Sequence, residues 1–334
     1  MPTINSHVHA QLCSYNVFRT HATTPDVREL IASIPCANRA APCWLHSFGL
    51  TATRAIVLEQ PTPYDLPAML GMATAEFTCL KWRPQDGVRV HLVDLATGAV
   101  DMRVAPPFFF FHIANAFDAP NGSVCVDLAL YDDPSIVEAL RLERLSGTDE
   151  VFDDLPRSRL TRLTIPSSPS ARVRLGALDD VEETGGFVDF PVIHPDRAGD
   201  AAYEYVWGIA ADRPTRAANR LVKLTVRGGE KGGERADGVG GGGDDERRDH
   251  SRGASFARPN CYPSEPVYVP RPGAEAEDDG VLLSLLNDEA ERTTSLVVLD
   301  AASLALQARL KLPMPLPYGF HGDWLQHAQV QMHE

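Results

Sequence analysis

Histidine is the residue type with most chemistry to offer in this chain. Eleven are present among 334 residues, and a neutral imidazole serves both as a metal ligand and as a proton carrier near neutral pH. His7 and His9 stand two residues apart, so on a strand they share one face. His321 is set between Phe320 and Gly322 in a Gly-Phe-His-Gly stretch; Glu265 stands two residues after Pro263; Asp278-Asp279-Gly280 turns into an apolar run. Six cysteines (Cys13, Cys36, Cys43, Cys79, Cys125, Cys261) are scattered without a CxxC pair, which excludes a zinc ribbon and reads as isolated buried thiols. A lone histidine in a β protein is more often a hydrogen-bonded structural residue than a ligand, so composition by itself selects none of the eleven.

Five blocks in order change those odds: Ser6-His7-Val8-His9, His46-Ser47-Phe48-Gly49-Leu50-Thr51, Phe111-His112-Ile113-Ala114-Asn115-Ala116-Phe117, Asp189-Phe190-Pro191-Val192-Ile193-His194-Pro195, and the stretch from Tyr262 to Ser284 with Gly319-Phe320-His321-Gly322. On these residues the chain resembles the carotenoid cleavage oxygenases, a non-haem iron family. The resemblance implies Fe(2+) held by His7, His46, His112 and His321, with Glu265 orienting His321 and Asp189 orienting His112. Asp189 departs from the Glu common in much of the family, and the third family carboxylate has no counterpart here. Spacings of 39, 66 and 209 residues exclude a local metal loop, so these imidazoles have to converge from separate strands. His21, His91, His194, His250, His327 and His333 match no ligand position and read as surface or loop residues.

The activity implied is that of a dioxygenase splitting a conjugated C=C bond of a carotenoid or apocarotenoid into two carbonyls, with dioxygen as co-substrate and no haem, flavin or 2-oxoglutarate. Lys81-Trp82-Arg83-Pro84, Leu140-Arg141-Leu142-Glu143 and Leu316-Pro317-Tyr318-Gly319 look nearest to the carlactone-forming branch. The family's plant and algal members imply a plastid location. Two other readings compete. His7-Val8-His9 also resembles the HxH of amidohydrolases, which requires a (β/α)8 barrel with regularly alternating helices. A non-catalytic or truncated propeller binding an apolar ligand is the other.

The elements that would position these residues are mostly short strands. Residues 55–58, 88–95, 108–112, 123–129, 160–165, 203–209, 221–226, 280–286 and 295–299 are rich in β-branched or aromatic residues and are separated by turn signals such as Asn121-Gly122. Such spacing predicts an all-β sandwich, barrel or propeller without choosing among them. The resemblance implies a seven-bladed β-propeller with iron on its central axis, incomplete at the N-terminus because the first block already matches the family's first metal histidine. One helix is expected over 135–145, with Pro134 at its start. Residues 228–260 contain Gly240-Gly241-Gly242-Gly243 and mixed charge, and read as a disordered insertion in an otherwise single domain spanning 1–334.

Phe108 to Phe111 are expected to pack between blades or to line a cavity. Pro63 to Met72, PYDLPAMLGM, is apolar for a loop. It reads either as a loop packed on its own core or as a peripheral membrane contact. No run approaches the roughly 18 apolar residues of a membrane span. The net charge of −14 argues against nucleic acid, which needs clustered cations. A monomer is expected.

Overall fold

In a computed structural model that describes residues 2–9, 12–38, 41–65, 69, 80–145, 154–226 and 253–325 (2–9, 12 and 182 as backbone only), the chain forms five antiparallel sheets, one after another. The first holds β1 (Pro2–His9), β2 (Leu12–His21) and β3 (Thr24–Pro35). The second holds β4 (Gly49–Leu50), β5 (Arg54–Glu59), β6 (Val88–Asp94) and β7 (Val100–Ala105). The third holds β8 (Phe109–Asp118), β9 (Val124–Tyr131), β10 (Ser158–Ile165) and β11 (Arg174–Ala177); the fourth, β12 (Val188–Val192), β13 (Tyr205–Ala210), β14 (Arg220–Thr225) and β15 (Ser255–Ala257). In the fifth, β16 (Cys261–Pro263) and β17 (Val267–Pro270) both pair with β18 (Gly280–Asp288), which is followed by β19 (Thr293–Asp300) and β20 (Leu306–Lys311).

Why the sheets stack can be read from the strand period of two. In β5, Ala55 and Val57 pack with Tyr15 and Val17 of the first sheet, whereas Ile56 and Leu58 pack with Ala116 and Val126 of the third. In β13, Val206 and Ala210 join Phe117 and Leu160 behind them, while Trp207 and Ile209 join Tyr268, Leu282 and Val297 ahead. An interior sheet is therefore apolar on both faces, and its central strands read as continuous hydrophobic runs. β8 lies against both β4 and β12. β11 and most of β7 and β20 are exposed. The first strand of each interior sheet thus faces inward and the last faces outward, so residues on β4, β8 and β12 are brought together.

All nine expected strands form, with 108–112 running on to Asp118. The expected helix does not form as one piece. It divides into α1 (Ser135–Ala139) and α2 (Leu142–Leu145), because Ile136 and Val137 dock into the core whereas Leu142 is 78% exposed and does not continue the buried face. α3 (Val181–Thr184) is one turn. Among the described residues there are no alternating long helices, which removes the amidohydrolase barrel. Part of the stretch 228–260 expected as a disordered insertion is a strand. Residues 227–252 lie outside the described residues, but Ser255, Phe256 and Ala257 pair with Val222, Leu221 and Arg220 and complete the fourth sheet. Its shortness, between Gly253 and Pro259, hid this three-residue strand from a composition-based reading.

Pro63 is buried and bridges Cys43, and Tyr64 bridges Leu80. Met69 is 44% exposed, and 66–68 and 70–72 lie outside the described residues. Among the described residues no helix is long and apolar enough to cross a membrane. Five cysteines are free and buried; Cys79 lies outside the described residues.

Candidate metal centre

Irregular backbone aims the site residues. β8 loses register with β9 between Phe110 and Ile113 and again between Ile113 and Asn115, and His112 sits at that break. β12 loses register with β13 between Asp189 and Val192. There Phe190 takes a φ of 49°, a left-handed conformation costly for a bulky residue. The room for this kink comes from Gly208, where a Cβ would stand 2.9 Å from the Asp189 carbonyl oxygen. His46 precedes β4, Glu265 lies between β16 and β17, and His321 lies beyond β20.

Three of the four histidines implied as ligands converge. His46 Nε2 is 3.2 Å from His112 Nε2, which is 3.4 Å from His321 Nε2. Imidazole nitrogens bound to one first-row ion at about 2.1 Å stand about 3.0 Å apart at right angles and about 3.4 Å apart at tetrahedral angles. The observed separations fit that geometry, and among the described residues these three form the one cluster of metal-ligand type. Partial desolvation, and then the charges that His112 and His321 would carry, push the His46 imidazole down to about 4, so it is held neutral as a ligand must be. His7 lies in β1 opposite Ser14, where only the backbone is described.

The outward-facing nitrogens are anchored. His112 Nδ1 donates to Asp189 Oδ1 at 2.7 Å, which leaves the Nε2 lone pair directed to the centre. Asp189 is 3% exposed, so the hydrogen bond is made within the fold despite the shorter arm of Asp. His321 Nδ1 lies 3.3 Å from both Glu265 oxygens, and the Gly322 N–H donates to Glu265 Oε2 at 3.0 Å.

Around the imidazoles the walls are aromatic. The Phe111 ring centroid is 5.2 Å from that of His46, and the Phe190 ring is 4.4 Å from that of His112. Trp44 packs edge-on against Phe109 and Phe111 and is stacked with Tyr64; Phe190 is stacked with Phe320. The four consecutive phenylalanines divide by the strand period. Phe108 and Phe110 fill the core between the second and third sheets, and Phe109 and Phe111 turn toward the centre. Sequence reasoning missed Trp44, Tyr131, Phe190 and Phe320. Phe190 and Phe320 stand in the quoted blocks beside Asp189 and His321, a signal that could have found them, whereas no local pattern marks Trp44 or Tyr131; an aromatic directly before Pro191 is expected to be extended, so the positive φ at Phe190 is the opposite of what the dipeptide predicts.

His91 is not on the surface, contrary to expectation. It is 5% exposed in β6, shares its face with Val93 against the first sheet, and its Nε2 lies 3.1 Å from Glu59 Oε2. The strand alternation turns it inward and Glu59 supplies its partner. His21 is exposed; His194 caps a short turn, its Nδ1 accepting from the Asp196 N–H at 3.1 Å. His250, His327 and His333 lie outside the described residues.

Stacked antiparallel sheets whose inner strand β8 and connecting segments bring three imidazoles to one point, with carboxylates behind two of them, define a β-architecture built around a histidine cluster. The family model of the retinal pigment epithelial membrane protein matches residues 2–326. The chain belongs to that family, the carotenoid cleavage oxygenases. It is 33% identical over 305 residues to carotenoid cleavage dioxygenase 8 homolog A, chloroplastic, of Oryza sativa subsp. japonica, covering 89% of this chain and 50% of the relative. It is 31% identical over 357 residues to the mitochondrial carotenoid-cleaving dioxygenase of Mustela putorius furo, covering 93% and 61%. A solved mutant of Synechocystis apocarotenoid oxygenase superposes with a TM-score of 0.73 at 25% identity, covering 97% of this chain and 60% of that one. A cobalt-substituted form of that oxygenase gives 0.72 at 24%. The chain thus spans about half to three-fifths of the length of these relatives.

Proposed function

We propose that this chain carries the metal centre of a non-haem Fe(II) dioxygenase that cleaves a conjugated C=C bond of a carotenoid or apocarotenoid. The observation that carries the reading is the convergence of His46, His112 and His321 from three separate parts of the chain, two of them backed by Asp189 and Glu265. His7 is the proposed fourth ligand. The ring is proposed to be a seven-bladed propeller with iron on its axis, to which the five sheets contribute. Iron would supply activation of dioxygen, both oxygen atoms ending on the two former alkene carbons. The chain's own residues hold His46 neutral and orient His112 and His321, and Trp44, Phe111, Phe190 and Phe320 offer apolar faces on which a polyene could lie. Relatives named chloroplastic carotenoid cleavage dioxygenase 8 support a carotenoid-type substrate and a plastid location, and the likeness to Synechocystis apocarotenoid oxygenase supports an apocarotenoid. The protein is proposed to act as a monomer, with a peripheral membrane contact through Pro63 to Met72.

The test is iron content by elemental analysis of the purified chain and of His112→Ala, followed by oxygen-dependent cleavage assays with β-apocarotenals. Near one iron per chain, lost in the variant, is expected. No iron in either would overturn the dioxygenase reading in favour of a non-catalytic propeller that binds an apolar ligand.

A further inference from the structure

We infer that Tyr131 is a positioning residue for the His112 side of the centre, acting through Asp189; the inference rests on the metal-centre reading above. Tyr131 closes β9, is 1% exposed, and reaches across to β12, where its hydroxyl donates to Asp189 Oδ2 at 2.5 Å. Asp189 Oδ1 meanwhile accepts from His112 Nδ1 at 2.7 Å and from the Phe190 N–H at 2.8 Å. The three bonds fix the carboxylate plane, with Oδ1 turned to the imidazole and Oδ2 turned to the phenol. Tyr131 itself is wedged among Phe109, Phe111 and Phe187, so its hydroxyl has one direction in which to point.

This arrangement answers the shortness of Asp189. A carboxylate on a short arm has to be set by the backbone that carries it, and here the backbone is a left-handed kink at Phe190. Without the Tyr131 hydroxyl, a buried carboxyl oxygen is left unpaired in an aromatic pocket, and the carboxyl group is free to rotate away from His112. The Nδ1–H then loses its fixed acceptor, and the Nε2 lone pair its fixed direction. Removing the direct partner of a ligating imidazole typically weakens metal binding about 10- to 100-fold, and that range is the ceiling for Tyr131, one bond further out.

Co(II) alone is the probe, titrated into the metal-free full chain, with the dissociation constant and the ligand-field absorption bands as readouts. Tyr131→Phe is expected to bind Co(II) more weakly, by up to about 10-fold, and to shift the bands. In an Asp189→Asn background the same substitution is expected to add little, because the path through the carboxylate is already broken. An unchanged constant and unchanged bands in Tyr131→Phe, even with a lowered unfolding temperature, would make Tyr131 merely structural; so would losses that add fully with those of Asp189→Asn. If Tyr131→Phe does not fold, 3-fluorotyrosine at position 131, which keeps the ring and sharpens the donor, is expected to shift the bands, and unshifted bands overturn the inference. Failure of the wild-type chain to bind Co(II) would sink the metal centre and this inference together, whereas tight and equal binding by wild type and variant sinks the inference alone.

Discussion

His46 is held down to about 4 from the ordinary 6.5, first by desolvation and then by its two imidazole neighbours. The unfolded chain therefore binds more protons than the folded one across that interval, and stability falls as pH falls from about 6.5 toward 4. Above the unfolded value neither state is protonated, and the effect vanishes. Thermal unfolding of the metal-free protein is expected to shift downward over this window, and less steeply in His46→Ala. An equal slope in both proteins would assign the acid sensitivity elsewhere.

Among elements, the kinked start of β12 and the end of β5 carry the most consequence. Gly208→Ala places a methyl group 2.9 Å from the Asp189 carbonyl oxygen and 3.4 Å from Val188 Cγ2. Overpacking of this kind costs about 1–3 kcal/mol. Because the atom displaced belongs to Asp189, a denaturant titration showing that loss is expected to be accompanied by lower metal content. Gln60 is fully buried and pairs twice with one backbone unit: its Nε2 donates to the Phe110 carbonyl at 3.1 Å, and its Oε1 accepts from the Phe110 N–H at 2.8 Å. β8 is the end strand of its sheet, and Gln60 supplies on its open side bonds that a neighbouring strand would otherwise provide. Gln60→Leu is expected to destabilise by about 1–3 kcal/mol for each group left unpaired, read as a lower denaturation midpoint with an unchanged slope.

At the scale of the molecule the sheets form an array in which each packs mainly on its neighbours, so disturbances should be felt locally. Glu59 joins the first and second sheets from a buried position. Its carboxylate accepts from the Ala37 N–H at 2.8 Å and from the Tyr15 hydroxyl at 3.2 Å, and it lies 3.1 Å from His91 Nε2. Glu59→Ala is expected to speed amide hydrogen exchange in β2 and β3 while leaving β13 and β14 protected. Uniform acceleration throughout would mean that the array unfolds as one cooperative unit instead. The same stacking explains why a site can be built from residues more than 200 positions apart: the path of the chain returns it to the inner edge once per sheet.

Local pattern determined the nine strands, the all-β class and the membership of the histidine blocks in one family, because strand period, turn chemistry and short motifs are all properties of neighbouring residues. Tertiary structure decided what depends on distant ones. It broke the 135–145 helix where no core lay beneath its second turn, drew Ser255–Ala257 into a sheet, and buried His91 against Glu59. It also brought Tyr131 and Trp44 to the centre, which no spacing foretold, since their roles arise from which strand faces which across the stack. Even the left-handed turn at Phe190 runs against its own dipeptide preference: the surrounding packing and the room left by Gly208 outweigh the local bias.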